Sequence, residues 1–214
     1  HWMTVSNHRP YTYPDGKIDI SPTSKSRNGG VKYTDYALKK FFEMAAKQDW
    51  YKNTVFVIVA DHCASSAGKT ELPMDKYRIP GMIFAPDFIK PEKFRTVASQ
   101  IDLMPTLFGL LHFNYDSKFL GQDVFSKNYV PRAYIATYQD LGFVKDNYLT
   151  VISPTKKIKQ YQLFQKENKD QIQEYNIYYT ENLVSEIARK DLEEQTISSF
   201  QATSYWLKEK KLNK

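Results

Sequence analysis

Residues Val55 to Ala60 (Val-Phe-Val-Ile-Val-Ala) form an unbroken apolar run, mostly β-branched or aromatic, that ends on Asp61-His62 and a small-residue loop, Cys63-Ala-Ser-Ser-Ala-Gly68. A short continuous apolar run bounded by turn-formers predicts a strand buried on both faces, the kind found inside a parallel sheet covered by helices. In open α/β sheets, ligands bind beyond the carboxyl ends of the strands. An acid and an imidazole at such an end are therefore the strongest chemical signal in the chain. Within a strand, neighbouring side chains point to opposite faces. Where the strand gives way to a loop that alternation lapses, so both groups can converge on one centre. A carboxylate oxygen with an imidazole nitrogen suits zinc, manganese or a similar divalent ion. The bland alternative is a solvent-facing Asp beside a structural His.

The rest of the chain fits around this stretch. Residues 1–7 read as the end of a strand, followed by a loop punctuated by Pro10, Pro14, Gly16 and Pro22. That loop carries His8, Arg9, Tyr11 and Tyr13, placed to make substrate contacts or simply to pack. Asn28-Gly29-Gly30 reads as its close. Tyr33, Ala37, Phe41, Met44, Ala45 and Gln48 then recur at helical spacing, predicting an amphipathic helix over 33–48. Gly81–Ala85 predicts a second buried strand. Asp102 is placed to cap a helix with Pro105 in its first turn and Leu103, Leu107, Leu110 and Leu111 facing inward.

Beyond residue 130 the pattern changes to short β-prone runs, 133–138, 141–144, 148–152 and 159–164, with turn signals at Asp146-Asn147 and Ser153-Pro154-Thr155. They predict an antiparallel meander. Residues 181–211 read as one or two helices. The expected organisation is an α/β domain over 1–129, with 130–214 a meander and C-terminal helix packed on it.

Composition narrows the function. With 214 residues, 42% hydrophobic, the chain can bury one substantial core. The net charge of +6 is diffuse: 19 Lys/Arg against 15 Asp/Glu in residues 1–155, and 11 against 9 after that. Without a basic block, no nucleic-acid partner is expected; the excess mildly favours an anionic substrate or membrane surface. The lone Cys63 excludes an intrachain disulfide and a four-cysteine zinc site, and reads as a small buried apolar residue. No apolar run approaches the roughly 18 residues of a membrane span. His1-Trp-Met-Thr-Val5 reads like the middle of a strand, which makes the chain look like a piece of a longer protein with any membrane segment upstream.

Four segments in order carry a resemblance. Asn53-Thr54 with Phe56–His62, Met3–Tyr11, Lys76–Pro80 and Gln100–Thr106 together resemble the alkaline phosphatase superfamily. Within it they are most similar to the sulfatase-like phosphoglycerol transferases, which include the lipoteichoic acid synthases. The likeness spans roughly residues 1–125 and implies part of an alkaline-phosphatase-like α/β sandwich: a mainly parallel central sheet with flanking helices, plus a small C-terminal antiparallel sheet and helix. It implies that Asp61 and His62 bind one divalent metal ion (manganese, zinc, magnesium or calcium) and that His8 contacts the substrate phosphate or headgroup. Arg9 is a neighbour suited to an anion because its guanidinium fork matches phosphate oxygens, and Lys69 is a further candidate. Asp102 and Pro105 match the family and read as structural; Tyr77 and Arg78 read as packing and loop anchoring.

The family's nucleophile, a Thr or Ser that forms a phospho-enzyme, and a further acidic metal ligand have no counterpart here. Neither has the Cys/Ser-x-Pro-x-Arg motif of the true sulfatases. The resemblance therefore implies about half of an active site, with no catalytic nucleophile, inactive without the missing N-terminal half. It further implies an extracytoplasmic domain tethered to the cell membrane, which moves a headgroup from an anionic phospholipid to a glycan or polymer acceptor. The alternatives are a sulfatase or phosphodiesterase hydrolysing a phosphate or sulfate ester, and a non-catalytic binding module.

Overall fold

Ser26 starts the first helix: its Oγ accepts from the Gly29 amide, satisfying one of the orphan N–H groups of the first turn. In this computed structural model, which describes residues 2–63, 71–167, 177–184 and 187–211, helix α1 runs Arg27–Ala45. It begins six residues earlier than its apolar spacing predicts. Gly29 and Gly30 lie inside the first turn, not before it, and both are buried. A Cβ on Gly30 would stand 2.7 Å from the Ser6 carbonyl oxygen, and one on Gly29 would collide with the Tyr13 hydroxyl. These glycines admit a close neighbour; they do not break the helix.

The chain divides into two compact units, His1–Val57 with Ile83–Pro91, and Ile58–Met82 with Glu92–Lys214. In the first, Phe41 and Phe42 of α1 meet Phe56 edge-on at 5.9 and 5.1 Å, and Phe42 meets Phe84 at 5.6 Å. Such offset aromatic contacts favour packing beyond the area they bury. Residues 2–7 are not a strand. The chain turns at once, with the His8 amide bonded to Val5 and that of Tyr11 to His8, and Trp2, Met3 and Val5 are exposed. An extended segment needs a neighbouring strand for its backbone groups, and no described residue pairs with it.

Strand β1 is Phe56–Val59 and pairs with β2, Gly81–Phe84. It is only partly covered, with Val59 40% exposed, so the expectation of burial on both faces is not met by the described residues. A 3-10 turn, Gln100–Asp102, leads into α2, Leu103–Leu110.

The second unit is built on a five-stranded antiparallel meander: β3 Ala133–Ala136, β4 Leu141–Lys145, β5 Tyr148–Ile152, β6 Ile158–Glu167 and β7 Ile177–Leu183, in that spatial order. Asp146 and Asn147 both adopt positive φ (51° and 61°), as a tight two-residue hairpin between β4 and β5 requires. One face buries Ile135, Val144, Leu149, Val151, Tyr161 and Leu163 against Leu72 and Met74. The opposite face carries Thr150 and Gln160, both buried, and Tyr134, which meets Phe200 of helix α3, Lys190–Lys208, edge-on at 5.9 Å.

Two expectations for the C-terminal region change. Residues 177–183 form a fifth strand, and a single helix follows, starting at Lys190. Ile177-Tyr178-Tyr179-Thr180 is a β-favouring run, and pairing with β6 across Glu167↔Ile177 to Tyr161↔Leu183 outweighs the weak helical spacing of Leu183, Val184 and Ile187. Gln160 fixes the start of α3, donating to the Arg189 carbonyl (2.8 Å) and accepting from the Arg189 amide (3.0 Å).

Candidate functional site

Asp61 and His62 stand immediately after β1. The last sheet bond of the strand runs from the Ala60 amide to the Pro80 carbonyl, 3.2 Å. Beyond it the backbone turns, and Asp61 Oδ1 accepts from the His62 amide (2.9 Å). Asp61 Oδ2 then lies 3.6 Å from His62 Nε2. The two side chains do converge, and both are open to solvent, 70% and 75% exposed.

The imidazole is oriented by its other nitrogen. His62 Nδ1 lies 2.7 Å from the Cys63 carbonyl oxygen, which can only accept, so Nδ1 carries the hydrogen. In the neutral ring this leaves the Nε2 lone pair free on the side of Asp61. A backbone carbonyl that sets the tautomer in this way is the usual support of a metal-bound histidine. Cys63 is half-buried, not the fully buried apolar residue expected, and its carbonyl engages the ring of His62.

This donor set fits two protein ligands of a divalent ion: one hard oxygen and one borderline nitrogen. Among the described residues no third His, Cys, Asp or Glu joins them into a group of three. Lys69 lies outside the described residues. Glu71 pairs with Lys159 and accepts from the Tyr161 hydroxyl at 2.7 Å. Those two partners, Lys159 foremost, hold the Glu71 carboxyl down at about 2.

Within the first unit, His8 and Arg9 lie on a turn seated against the first turns of α1. The Asn7 side chain accepts from Thr34 (3.2 Å), and the Tyr11 hydroxyl accepts from Arg27 Nε (3.3 Å). Tyr11 is buried at φ 61°, while His8 and Arg9 beside it are exposed. His8 repeats the local arrangement of His62, with Nδ1 2.7 Å from the Arg9 carbonyl. Arg27 first, and then Arg9, hold the Tyr11 phenol below its usual range.

Sequence reasoning missed Gln100, Gln122 and Arg132. Gln100 Nε2 donates to the carbonyls of both Ala60 (2.8 Å) and Asp61 (2.9 Å). Asp102 is not the side-chain cap of α2. It completes a capping box with Ser99, whose amide it accepts at 2.9 Å. It also accepts from the Gln122 amide (2.8 Å), and from Arg132 twice. Tyr129 donates to it at 3.3 Å, and its phenol is raised by burial and by the Asp102 charge. Burial opposes the Arg132 charge, yet the hydrogen bonds and charge of Asp102 override it and raise Arg132 above its ordinary value. The structural reading of Asp102 thus rests on a buried hub in place of a helix cap.

Comparison with known proteins agrees with this architecture. The Sulfatase family model matches residues 1–113. The chain is 28% identical over 172 residues to the lipoteichoic acid synthase-like YvgJ of Bacillus subtilis, covering 69% of this chain and 27% of that protein. It is 27% identical over 150 residues to lipoteichoic acid synthase 2 of the same organism, covering 60% and 23%. It therefore spans about a quarter of the length of these curated relatives. A crystal structure of an alkaline phosphatase superfamily protein from Vibrio parahaemolyticus superposes with a TM-score of 0.79 at 29% identity, covering 96% of this chain and 48% of that one. The structure of Ps i-CgsB shares the fold alone, with a TM-score of 0.57 at 15% identity. The α/β class expected from the sequence is thereby established, and the chain belongs to the sulfatase family.

Proposed function

We propose that this chain is the C-terminal part of a metal-dependent, extracytoplasmic phosphotransferase that moves a phosphoglycerol-type headgroup from an anionic lipid to a glycan or polymer acceptor. The observation that carries the reading is the convergence of Asp61 and His62 at the end of β1, with His62 Nε2 turned toward the carboxylate. The relatives named as lipoteichoic acid synthases support transfer over hydrolysis. Asp61 and His62 hold a divalent ion, which when bound supplies charge neutralisation at phosphorus and a lower pKa for the attacking hydroxyl. His8 presents Nε2 to the phosphate or headgroup, and Arg9 offers a fork of N–H donors to its oxygens. Lys69 contributes a further positive charge. The hydroxyl nucleophile and a further acidic ligand belong to the part of the protein upstream of this chain.

The localisation belongs to the same proposal. No helix among the described residues is long and apolar enough to cross a membrane, so tethering would fall to other segments. Hydrolysis of a sulfate or phosphate ester is the second reading, favoured by the family model itself. An upstream Thr would mark transfer, and a Cys or Ser in Cys/Ser-x-Pro-x-Arg would mark sulfate hydrolysis. In the full-length protein, Asp61→Ala and His62→Ala should each weaken Mn2+ binding by at least about tenfold and abolish the covalent phospho-enzyme. Unchanged metal affinity in either variant would remove the metal centre from this pair.

A further inference from the structure

Successive carbonyls of a strand point in opposite directions. Those of Ala60 and Asp61 instead meet the same amide group, Gln100 Nε2, at 2.8 and 2.9 Å. The side-chain NH2 of glutamine has two hydrogens, so each carbonyl takes one. This fork holds the backbone at the point where the strand's alternation lapses, and that lapse is what lets Asp61 and His62 converge.

Gln100 is itself held. It follows Ser99, whose amide is bonded to Asp102 Oδ2 at 2.9 Å. Asp102 is in turn clamped by the buried Arg132. The buried ion pair therefore fixes the Ser99 backbone, and the adjoining residue, Gln100, carries the hydrogen bonds on to the exposed pair at the end of β1. The Gln100 side chain is the final, solvent-exposed link.

We propose that Gln100 is a positioning residue for the metal pair: its amide fixes the Ala60–Asp61 backbone in the conformation that brings Asp61 Oδ2 and His62 Nε2 to one centre. The proposal rests on the metal reading of that pair. Groups that orient metal ligands from behind typically contribute about 10- to 100-fold in affinity. Gln100→Met keeps the unbranched shape and removes both donors. Gln100→Asn keeps the amide and shortens its reach by one methylene. Because Gln100 is exposed, neither substitution disturbs the core.

The test measures Mn2+ affinity of the full-length protein by electron paramagnetic resonance, together with the melting temperature, in wild type, Gln100→Met, Gln100→Asn, Asp61→Ala and Thr106→Val. Thr106 serves as a control in the same segment: its hydroxyl donates to the Asp102 carbonyl (2.7 Å) and accepts from the Val124 amide (3.1 Å), without touching residues 60–62. Gln100→Met and Gln100→Asn should weaken Mn2+ binding about 10- to 100-fold at nearly unchanged melting temperature. Saturating Mn2+ should restore phospho-enzyme formation in both. Thr106→Val should lower the melting temperature and leave Mn2+ affinity alone. If Asp61→Ala weakens binding while both Gln100 variants match wild type, the positioning role is overturned and the metal reading stands. The role is equally overturned if the Gln100 variants lose affinity only in step with melting temperature, as a general loosening would produce. If Asp61→Ala itself leaves affinity unchanged, the metal reading fails, and the role of Gln100 with it.

Discussion

Arg132 closes on Asp102 fork to fork, Nη2 to Oδ1 at 2.9 Å and Nη1 to Oδ2 at 3.1 Å, with both side chains nearly inaccessible to water. The carboxylate has further donors in the Ser99 and Gln122 amides and the Tyr129 hydroxyl. Desolvating two charges is unfavourable, and this geometry with its extra hydrogen bonds is what offsets it.

Removing one partner leaves the other charged and buried. Arg132→Ala should therefore destabilise the protein by about 3–5 kcal/mol in urea-induced unfolding. A loss below about 1 kcal/mol would mean that water reaches Asp102 in solution and the hub does not organise this region.

Glu71 makes stability depend on acid pH. Its ordinary value of 4.5 falls to about 2 in the folded chain, through Lys159 first and Tyr161 second. A depressed carboxyl stabilises the fold above its unfolded value, and that contribution is lost as pH falls from about 4.5 toward about 2. The side chain is 32% exposed, so screening reduces the contribution to roughly 1–2 kcal/mol. Glu71→Gln should be less stable than wild type by that amount at pH 7, with the gap closing at low pH. A gap independent of pH would exclude this ion pair as its source.

Gly30→Ala sets helix propensity against space. Alanine is favoured over glycine in a helix by about 1 kcal/mol, but its Cβ would meet the Ser6 carbonyl oxygen at 2.7 Å and the Tyr11 ring at 3.2 Å. Overpacking against backbone disfavours the fold by about 1–3 kcal/mol, so a net effect between about zero and a loss of about 2 kcal/mol is expected in thermal unfolding. A stabilised variant would show that the turn bearing His8 does not rest on α1.

Both histidines beside the candidate substrate and metal positions should show the Nδ1–H tautomer when neutral, since each Nδ1 donates to a backbone carbonyl at 2.7 Å. Nitrogen-15 spectra of the labelled full-length protein read this directly. Added Zn2+ should shift Nε2 of His62. Protonation of His62 on Nε2 in the neutral ring would contradict the orientation on which the metal reading rests.

How much of this was legible depended on how local each cause was. The apolar run ending in Asp61-His62 announced a strand with an acid and an imidazole at its end because both signals lie within a few residues. The meander was legible for the same reason, with alternating runs and a two-residue Asp-Asn turn. Failures arose where a partner distant in sequence outweighed local pattern. Gly29-Gly30 read as a breaker, yet Ser6 and Tyr13 crowd it from outside the helix. Residues 181–183 read as helix, yet β6 offered a complete hydrogen-bond ladder.

By itself the sequence determined the α/β class, the strand that ends on Asp61-His62 and the first four strands of the meander, because periodicity, turn chemistry and a short motif are local properties. Only the tertiary structure decided what supports that pair. Gln100 reaches Asp61 across 39 residues, Arg132 reaches Asp102 across 30, and Lys159 reaches Glu71 across 88. A lone glutamine, arginine or glutamate carries no pattern naming its partner. Hydrogen bonds and ion pairs are made between groups close in space, and the folded chain alone sets which groups those are.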